Sequence, residues 1–90
     1  MEFEWDLEKA ASNERKHGIS FAFATLVFDD LARIEDLDST ADYGEERWTV
    51  VGLAHELVLF VVYTLRGTKT RLISARKGTP YEQRRYCNNS

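Results

Sequence analysis

The sequence predicts a small α+β domain with a mostly antiparallel sheet. One short strand and two helices come first, and four strands and a final helix follow, so strands and helices do not alternate along the chain. Two of the strand connections have only two residues, which is typical of antiparallel hairpins. The 90 residues are 43% hydrophobic and 30% charged with one proline, a globular composition that supports a single core. We expect one domain over residues 1–86 and a polar tail at 87–90 that contains the lone Cys87.

The first half begins with a short strand over residues 3–5, FEW, and a helix from Asp6 to about Lys16. Asp6 is a good N-cap, and Gly18 suits the left-handed position after the last turn. A second helix is expected from Ser20 to Asp29, with apolar side chains on two faces. One face carries Phe21, Ala24 and Phe28, and the other carries Phe23, Leu26 and Val27. We expect the second face to contact a partner.

The second half contains four predicted strands: 31–38 at an edge of the sheet, 47–54, 57–66 and 70–77. The segment STADYG at 39–44 is a predicted loop, and His55-Glu56 and Gly67-Thr68 are predicted turns. Thr79-Pro80-Tyr81-Glu82 forms a capping box with proline at the first helical position. It predicts a last helix through about Tyr86.

Two-residue turns would fix the register of the central strands. Arg47 would then lie opposite Thr64, Thr64 opposite Arg71, and Arg66 opposite Lys69, so all five side chains would share one face. The other face would carry Trp48, Val50, Leu59, Val61, Tyr63 and Leu72 against the helices. Like charges on neighbouring strands destabilise a sheet unless an anion binds there. The cluster is either a site for phosphate or a basic surface screened by salt and nearby acids.

Charge is unevenly distributed along the chain. Residues 1–46 carry 13 acidic and four basic residues, whereas residues 47–90 carry two acidic and eight basic residues. This asymmetry indicates a polyanion-binding half despite the net charge of −3. The apolar run at 57–65 is too short to span a membrane, and the acidic start MEFEWD differs from a secretion signal, so we expect a cytoplasmic protein.

The acidic stretch DLDSTADYGEER has the odd spacing of a calcium loop at Asp36, Asp38, Thr40 and Asp42. It lacks the glycine at position six and the glutamate at position twelve, where Ala41 and Arg47 stand. We therefore expect no metal site and no cofactor.

Several blocks of the sequence resemble the BrnT toxins of bacterial BrnT and BrnA toxin-antitoxin pairs. They are FEWDLEKAASNERKHGISF, VFDD, EERWTVVG and VVYTLRGTKTRLISARKGTPYEQRRY, which together cover about residues 2–86. The resemblance implies a fold similar to RelE-type ribonucleases and a ribonuclease, without metal, that inhibits translation. It also implies a BrnA-like antitoxin as partner and promoter DNA bound only through that antitoxin. We expect the second apolar face of the second helix to be covered in that complex or in a homodimer.

The resemblance implies that residues within the matching motifs form the functional site. They are Lys16 and His17 of K-H-G, Glu45 and Arg47 of E-E-R, Arg66 of Y-T-x-R, and Arg71, Ser74 and Arg76 of R-x-I-S-A-R. We assign His17, Glu45, Arg66, Arg71 and Arg76 to catalysis, and Lys16, Arg47, Thr64, Lys69 and Ser74 to RNA or phosphate binding. The chain departs from the family pattern at Ala22 and Phe23, where acidic residues are usual, and at Gly78, where alanine is usual.

Metal-free RNA cleavage needs proton transfer, which arginine does not provide. The candidates are His17, Glu45 or Glu46, and Tyr63. His17 has a second interpretation, since a cation at the end of a helix is favourable without any substrate. A non-catalytic module that binds RNA or an acidic protein, and a structural subunit that uses the second helix as its interface, are the alternatives to an enzyme.

Overall fold

The computed structural model describes residues 1–38 and 45–89, so the predicted loop at 39–44 lies outside the described residues. The strands are β1 (Glu2–Glu4), β2 (Ile34–Asp38), β3 (Arg47–Ala54), β4 (Leu57–Arg66) and β5 (Lys69–Lys77). The helices are α1 (Leu7–His17), α2 (Phe21–Ala24) with a 3₁₀ helix (Thr25–Asp29) directly after it, and α3 (Pro80–Asn89). The predicted α+β class is confirmed.

The sheet has the strand order β1-β5-β4-β3-β2. All neighbours are antiparallel except β1, which pairs in parallel with β5 at one edge. Both two-residue turns form as predicted, and Gly67 in the second adopts a φ of 60°. Thr64 pairs with Arg71 and Arg66 with Lys69, so the predicted register of this hairpin is correct.

A β-bulge in β5 was not predicted. Val62 pairs with Ser74 and Tyr63 with Leu72, which leaves Ile73 without a partner on β4. Each bulge shifts the alternation of side chains by one residue. Arg71, Ser74 and Arg76 therefore all lie on one face of the sheet, because their partners Thr64, Val62 and Phe60 alternate regularly along β4.

Helix α1 begins directly after the predicted N-cap and ends at His17, one residue later than predicted, and both predicted caps form. The Asp6 carboxylate accepts hydrogen bonds from the backbone N–H groups of Glu8 and Lys9, and Gly18 adopts the left-handed conformation with a φ of 74°. Contact of Asp6 with those N–H groups keeps its pKa below the usual value.

Asn13 fastens α1 to the edge of β5. Its side-chain amide donates to the carbonyls of Ala75 and Ile19 at 2.8 and 3.0 Å, and its oxygen accepts from the Ala75 N–H at 3.1 Å. The amide thus binds β5 in the way that a neighbouring strand would, beyond the point where β1 ends. The loop after α1 is held by the same side chain.

The second predicted helix is in fact two segments. α2 ends at Ala24, and the chain continues as a 3₁₀ helix with about 3.0 residues per turn. This tighter winding rotates the later side chains relative to an α-helix. Val27, which we placed on the partner face with Phe23 and Leu26, is fully buried in the core at 0% exposure, so that part of the prediction is wrong.

The core lies between the sheet and the segment that contains α2 and the 3₁₀ helix. The apolar face predicted for the sheet packs there as expected: Val50, Leu59, Val61, Tyr63 and Leu72 are buried, and Trp48 packs against them. Phe21, Ala24, Val27 and Phe28 supply the opposing side chains.

Helix α3 packs against the other face of the sheet and is three residues longer than predicted. The capping box forms: Thr79 Oγ1 accepts from the Glu82 N–H, and Glu82 accepts from the Thr79 N–H. Arg85 pairs with Asp36 at 2.9 Å, and the Tyr86 hydroxyl donates to Asp30. This hydrogen bond raises the pKa of Tyr86 to about 12.

Candidate nucleic-acid interface

The predicted basic cluster exists at one end of the sheet, on the face opposite the core. We call Arg47, Thr64, Arg66, Lys69 and Arg71 the basic patch. The pairs Thr64–Arg71 and Arg66–Lys69 hold four of its members side by side. Arg47 begins β3 next to Trp48, which pairs with Tyr63, the neighbour of Thr64. The Thr64 hydroxyl is buried and donates to the Glu46 carbonyl at 2.6 Å, so it fixes the start of β3.

Carboxylates from two other parts of the chain reach into the basic patch. Glu45 Oε2 lies 3.6 Å from Arg66 Nε, which brings together two residues assigned to catalysis. Glu4 Oε2 accepts a hydrogen bond from Arg71 Nη1 at 2.9 Å, and Glu4 Oε1 lies 3.9 Å from Lys69 Nζ. The sequence reasoning missed Glu4, because nothing local to FEW shows that β1 pairs with β5.

Arg76 shares the face of the basic patch but lies at its far end, beside α3. Its guanidinium forms two hydrogen bonds with Glu82, at 2.8 and 3.1 Å, and stacks 4.2 Å above the ring of Phe60. The pKa of Glu82 is lowered, mainly because Arg76 donates to its carboxylate. In this state Arg76 ties α3 to the sheet.

Lys16 and His17 lie in a second region, a surface pocket between α1 and β5. The pocket is lined by Lys9, Ser12, Asn13, Lys16, His17, Ile73 and Ser74. The structure therefore brings His17, which we assign to catalysis, next to Lys16 and Ser74, which we assign to RNA binding. The bulge at Ile73 places Ser74 both in this pocket and on the face of the basic patch. Lys9 and Ser12 are members that the sequence reasoning did not find.

Tyr63 does not lie with the other proton-transfer candidates. Its side chain points into the core face, is 5% exposed, and donates to Glu35 at 2.7 Å. Burial, together with the hydrogen bond to Glu35, raises the pKa of Tyr63 well above its ordinary value. Tyr63 is therefore a structural residue of the core, on the opposite side of the sheet from the basic patch.

Phe23 and Leu26 are half-buried at the surface, whereas Val27 is not accessible. The Phe23 ring lies 5.7 Å from the ring of His55 in the β3–β4 turn. Leu26, Asp29, Asp30, Leu53 and His55 line a neighbouring surface pocket. Two of the three residues predicted for a partner interface thus border one surface region.

Within residues 1–38 and 45–89, no group of three or more His, Cys, Asp or Glu side chains is placed to hold a metal ion. The described helices are also too short or too polar to cross a membrane.

Comparison with known families identifies the family to which the chain belongs. The family model for BrnT, the ribonuclease toxin of type II toxin-antitoxin systems, matches residues 5–82. The chain belongs to the BrnT family. No curated protein matches it. BrnT is the ribonuclease of its pair, so membership implies an RNA substrate and an antitoxin partner. The matched range begins directly after β1 and contains α1, the whole basic patch and the α1–β5 pocket.

Proposed function

We propose that this BrnT-family chain is a metal-independent endoribonuclease that inhibits translation and is neutralised by a BrnA-like antitoxin. The observation that supports it best is the basic patch, where Arg66, Lys69 and Arg71 converge on one open end of the sheet with Glu45 beside them. A planar guanidinium matches the oxygens of a phosphate in a way that an ammonium does not.

The residues divide into two roles. Arg66 and Arg71 bind the phosphate that is attacked and stabilise its developing charge. Glu45, 3.6 Å from Arg66, and His17, in the adjoining pocket with Ser74, are the groups that exchange protons with the RNA. Lys16, Arg47, Lys69 and Ser74 line the path of the RNA strand. Thr64, which the sequence predicts on this path, is buried and bonded to the Glu46 carbonyl, so it supports the patch without contacting RNA.

Arg76 would serve a different phosphate from Arg71. Because of the bulge at Ile73, their partners on β4, Thr64 and Phe60, are four positions apart, which corresponds to about 13 Å at 3.3 Å per residue. A phosphate at Arg76 also has to compete with the two hydrogen bonds from Glu82. We therefore place Arg76 on the path of the RNA rather than at the bond that is cut.

The test is RNA cleavage by the purified chain with and without a chelator. Cleavage that resists the chelator supports the proposal, and cleavage that stops contradicts metal independence. Arg66→Lys and Arg71→Lys keep the charge but lose the paired donors, so the rate should fall about 10²- to 10³-fold.

Arg15→Lys and Arg84→Lys are the matched controls, since both residues are exposed and lie outside the basic patch. Thermal melting confirms that each variant is folded. If the patch variants cut RNA as fast as these controls, the basic patch is not the active site.

A non-catalytic module that binds RNA or an acidic protein is the second candidate. It is favoured by one observation: Arg66, Arg71 and Arg76 are each paired with a carboxylate of the same chain. Such pairing suits a binding surface on which RNA phosphates or the carboxylates of another protein replace these internal carboxylates, with no bond being cleaved. Tight RNA binding in the absence of any cut product would support this candidate over the enzyme.

For the antitoxin, we propose contact at Phe23 and Leu26, beside Leu53 and His55. Leu53 is 38% exposed and lines the same surface pocket as Leu26, so it adds to the apolar surface available there. A second copy of the toxin in the complex is the other occupant of this surface. Promoter DNA would be contacted by the antitoxin and not by this chain.

A further inference from the structure

Glu4 occupies a particular place in the basic patch. β1 has only three residues, and it pairs in parallel with β5 so that Glu4 lies opposite Arg71. Its carboxylate bridges two cations, with 2.9 Å to Arg71 Nη1 and 3.9 Å to Lys69 Nζ. The side chains of Glu4 and Arg71 are each 27% exposed, so this ion pair is partly shielded from water.

A partly buried carboxylate can fix an arginine more firmly than a surface pair does. An exposed ion pair is worth little, because two long side chains lose freedom to form it. Here the strand backbone of β1 already holds Glu4 beside its partner. The hydrogen bond to Glu4 occupies one of the five N–H donors of the guanidinium, and the remaining donors of Arg71 can bind another anion.

Glu4 also reduces repulsion within the basic patch. Arg66, Lys69 and Arg71 lie on one face of two adjacent strands, where like charges are destabilising. Between Lys69 and Arg71, a single carboxylate keeps the two cations together and leaves a net positive charge. Both the position of Glu4 and its negative charge therefore favour one orientation of the Arg71 guanidinium.

We infer that Glu4 is a positioning residue, which orients the guanidinium of Arg71 toward the phosphate that is cut. The inference rests on the proposed ribonuclease function. Glu4 acts through Arg71 and does not contact the RNA. Removing Glu4 should therefore lower kcat. It should not weaken RNA binding, because the basic patch then carries one negative charge fewer.

Three variants separate geometry from charge. Glu4→Gln loses the charge but keeps an oxygen that can reach Arg71. A hydrogen bond from Arg71 to this neutral oxygen is roughly half as strong as one to the carboxylate, so kcat should fall less than about tenfold. Glu4→Asp keeps the charge but is one methylene too short, so kcat should fall by up to about 10²-fold, as expected for a misplaced catalytic group. Glu4→Ala should resemble Glu4→Asp in kcat, with an unchanged or lower KM.

Glu2→Ala is the matched control, because Glu2 lies two residues away on the same face of β1 and is opposite Lys69. It removes the same charge without touching Arg71, so kcat should not change. A slower Glu4→Gln than Glu4→Asp would show that charge and not geometry matters, and it would overturn the inference. A Glu4→Ala enzyme with the kcat of Glu2→Ala would do so as well.

A measurement without RNA distinguishes this inference from the ribonuclease proposal. NMR of the arginine side chains reports rotation of each guanidinium, which slows when a partner holds it. We expect resolved Nη signals for Arg71 in the wild type and in Glu4→Gln, and averaged signals in Glu4→Asp and Glu4→Ala. Averaged signals in the wild type would refute the positioning role, whereas a wild type that holds Arg71 but cuts no RNA would refute only the ribonuclease.

Discussion

Asn13 provides the sharpest test of how α1 is held against the sheet. Its buried amide makes hydrogen bonds to Ala75 N–H, to the Ala75 carbonyl and to the Ile19 carbonyl. Asn13→Ala leaves these three backbone groups without that partner, and each buried unsatisfied group costs about 1–3 kcal/mol. Water can enter part of the gap, so we expect a loss of about 3 kcal/mol, which corresponds to a fall in Tm of about 12–24 °C in a domain of this size.

Asn13→Asp is a more specific perturbation because the two side chains have the same shape. The carboxylate can still accept a hydrogen bond from the Ala75 N–H. Its second oxygen, however, replaces the NH2 group and faces the carbonyl oxygens of Ala75 and Ile19, to which it cannot donate. Protonation restores one donor, so burial and these carbonyls should raise the pKa of the new carboxyl in the folded state above the unfolded value of about 3.9. The protein is then least stable at neutral pH, and it regains stability as the pH falls through that raised pKa.

The assay is thermal unfolding of Asn13→Ala and Asn13→Asp between pH 4 and 7, with Asn88→Ala as the control. Asn88 is exposed on α3, and its removal should leave Tm nearly unchanged. The reasoning is refuted if Asn13→Ala melts with the control. It also fails if Asn13→Asp is as stable as the wild type at pH 7, because the buried donor would then have no role.

Three further predictions concern other contacts. Glu82→Gln should cost about 1–3 kcal/mol at pH 7, because Arg76 loses a charged partner. The lowered pKa of Glu82 means that this stability is present above about pH 4.5 and is lost as the pH falls through the lowered pKa. Urea titrations should therefore show a difference between variant and wild type that shrinks as the pH falls below about 4.5, and a difference that does not change with pH contradicts the assignment. Gly52→Ala would place a methyl group 3.1 Å from the Val27 side chain and should cost about 1–3 kcal/mol in the same titration, and an unchanged midpoint would count against it. Phe23→Glu should leave the isolated chain folded but abolish co-purification with the antitoxin, and an intact complex on a sizing column would exclude Phe23 from the interface.

Much of the site was predictable because its geometry is set by local signals. Two-residue turns fixed the pairing of Arg66 with Lys69 and of Thr64 with Arg71, and both pairs form. The caps of α1 and the capping box of α3 also depend on residues close in sequence, and they form where expected. Val27 was misplaced because a continuous α-helix was assumed, and the change to 3₁₀ winding has no clear mark in the sequence.

Local signals are sufficient to predict the α+β class, the hairpin register and the face that carries the basic patch, since strand alternation and short turns depend on neighbouring residues. The distant groups that join this patch are set by tertiary packing. The bulge at Ile73 turns Ser74 and Arg76 to the face of Arg71, although regular alternation would place them on the other side. The parallel pairing of β1 brings Glu4 to Arg71 across 67 positions of the chain. Such contacts depend on how separate elements pack together, and no short stretch of residues specifies that.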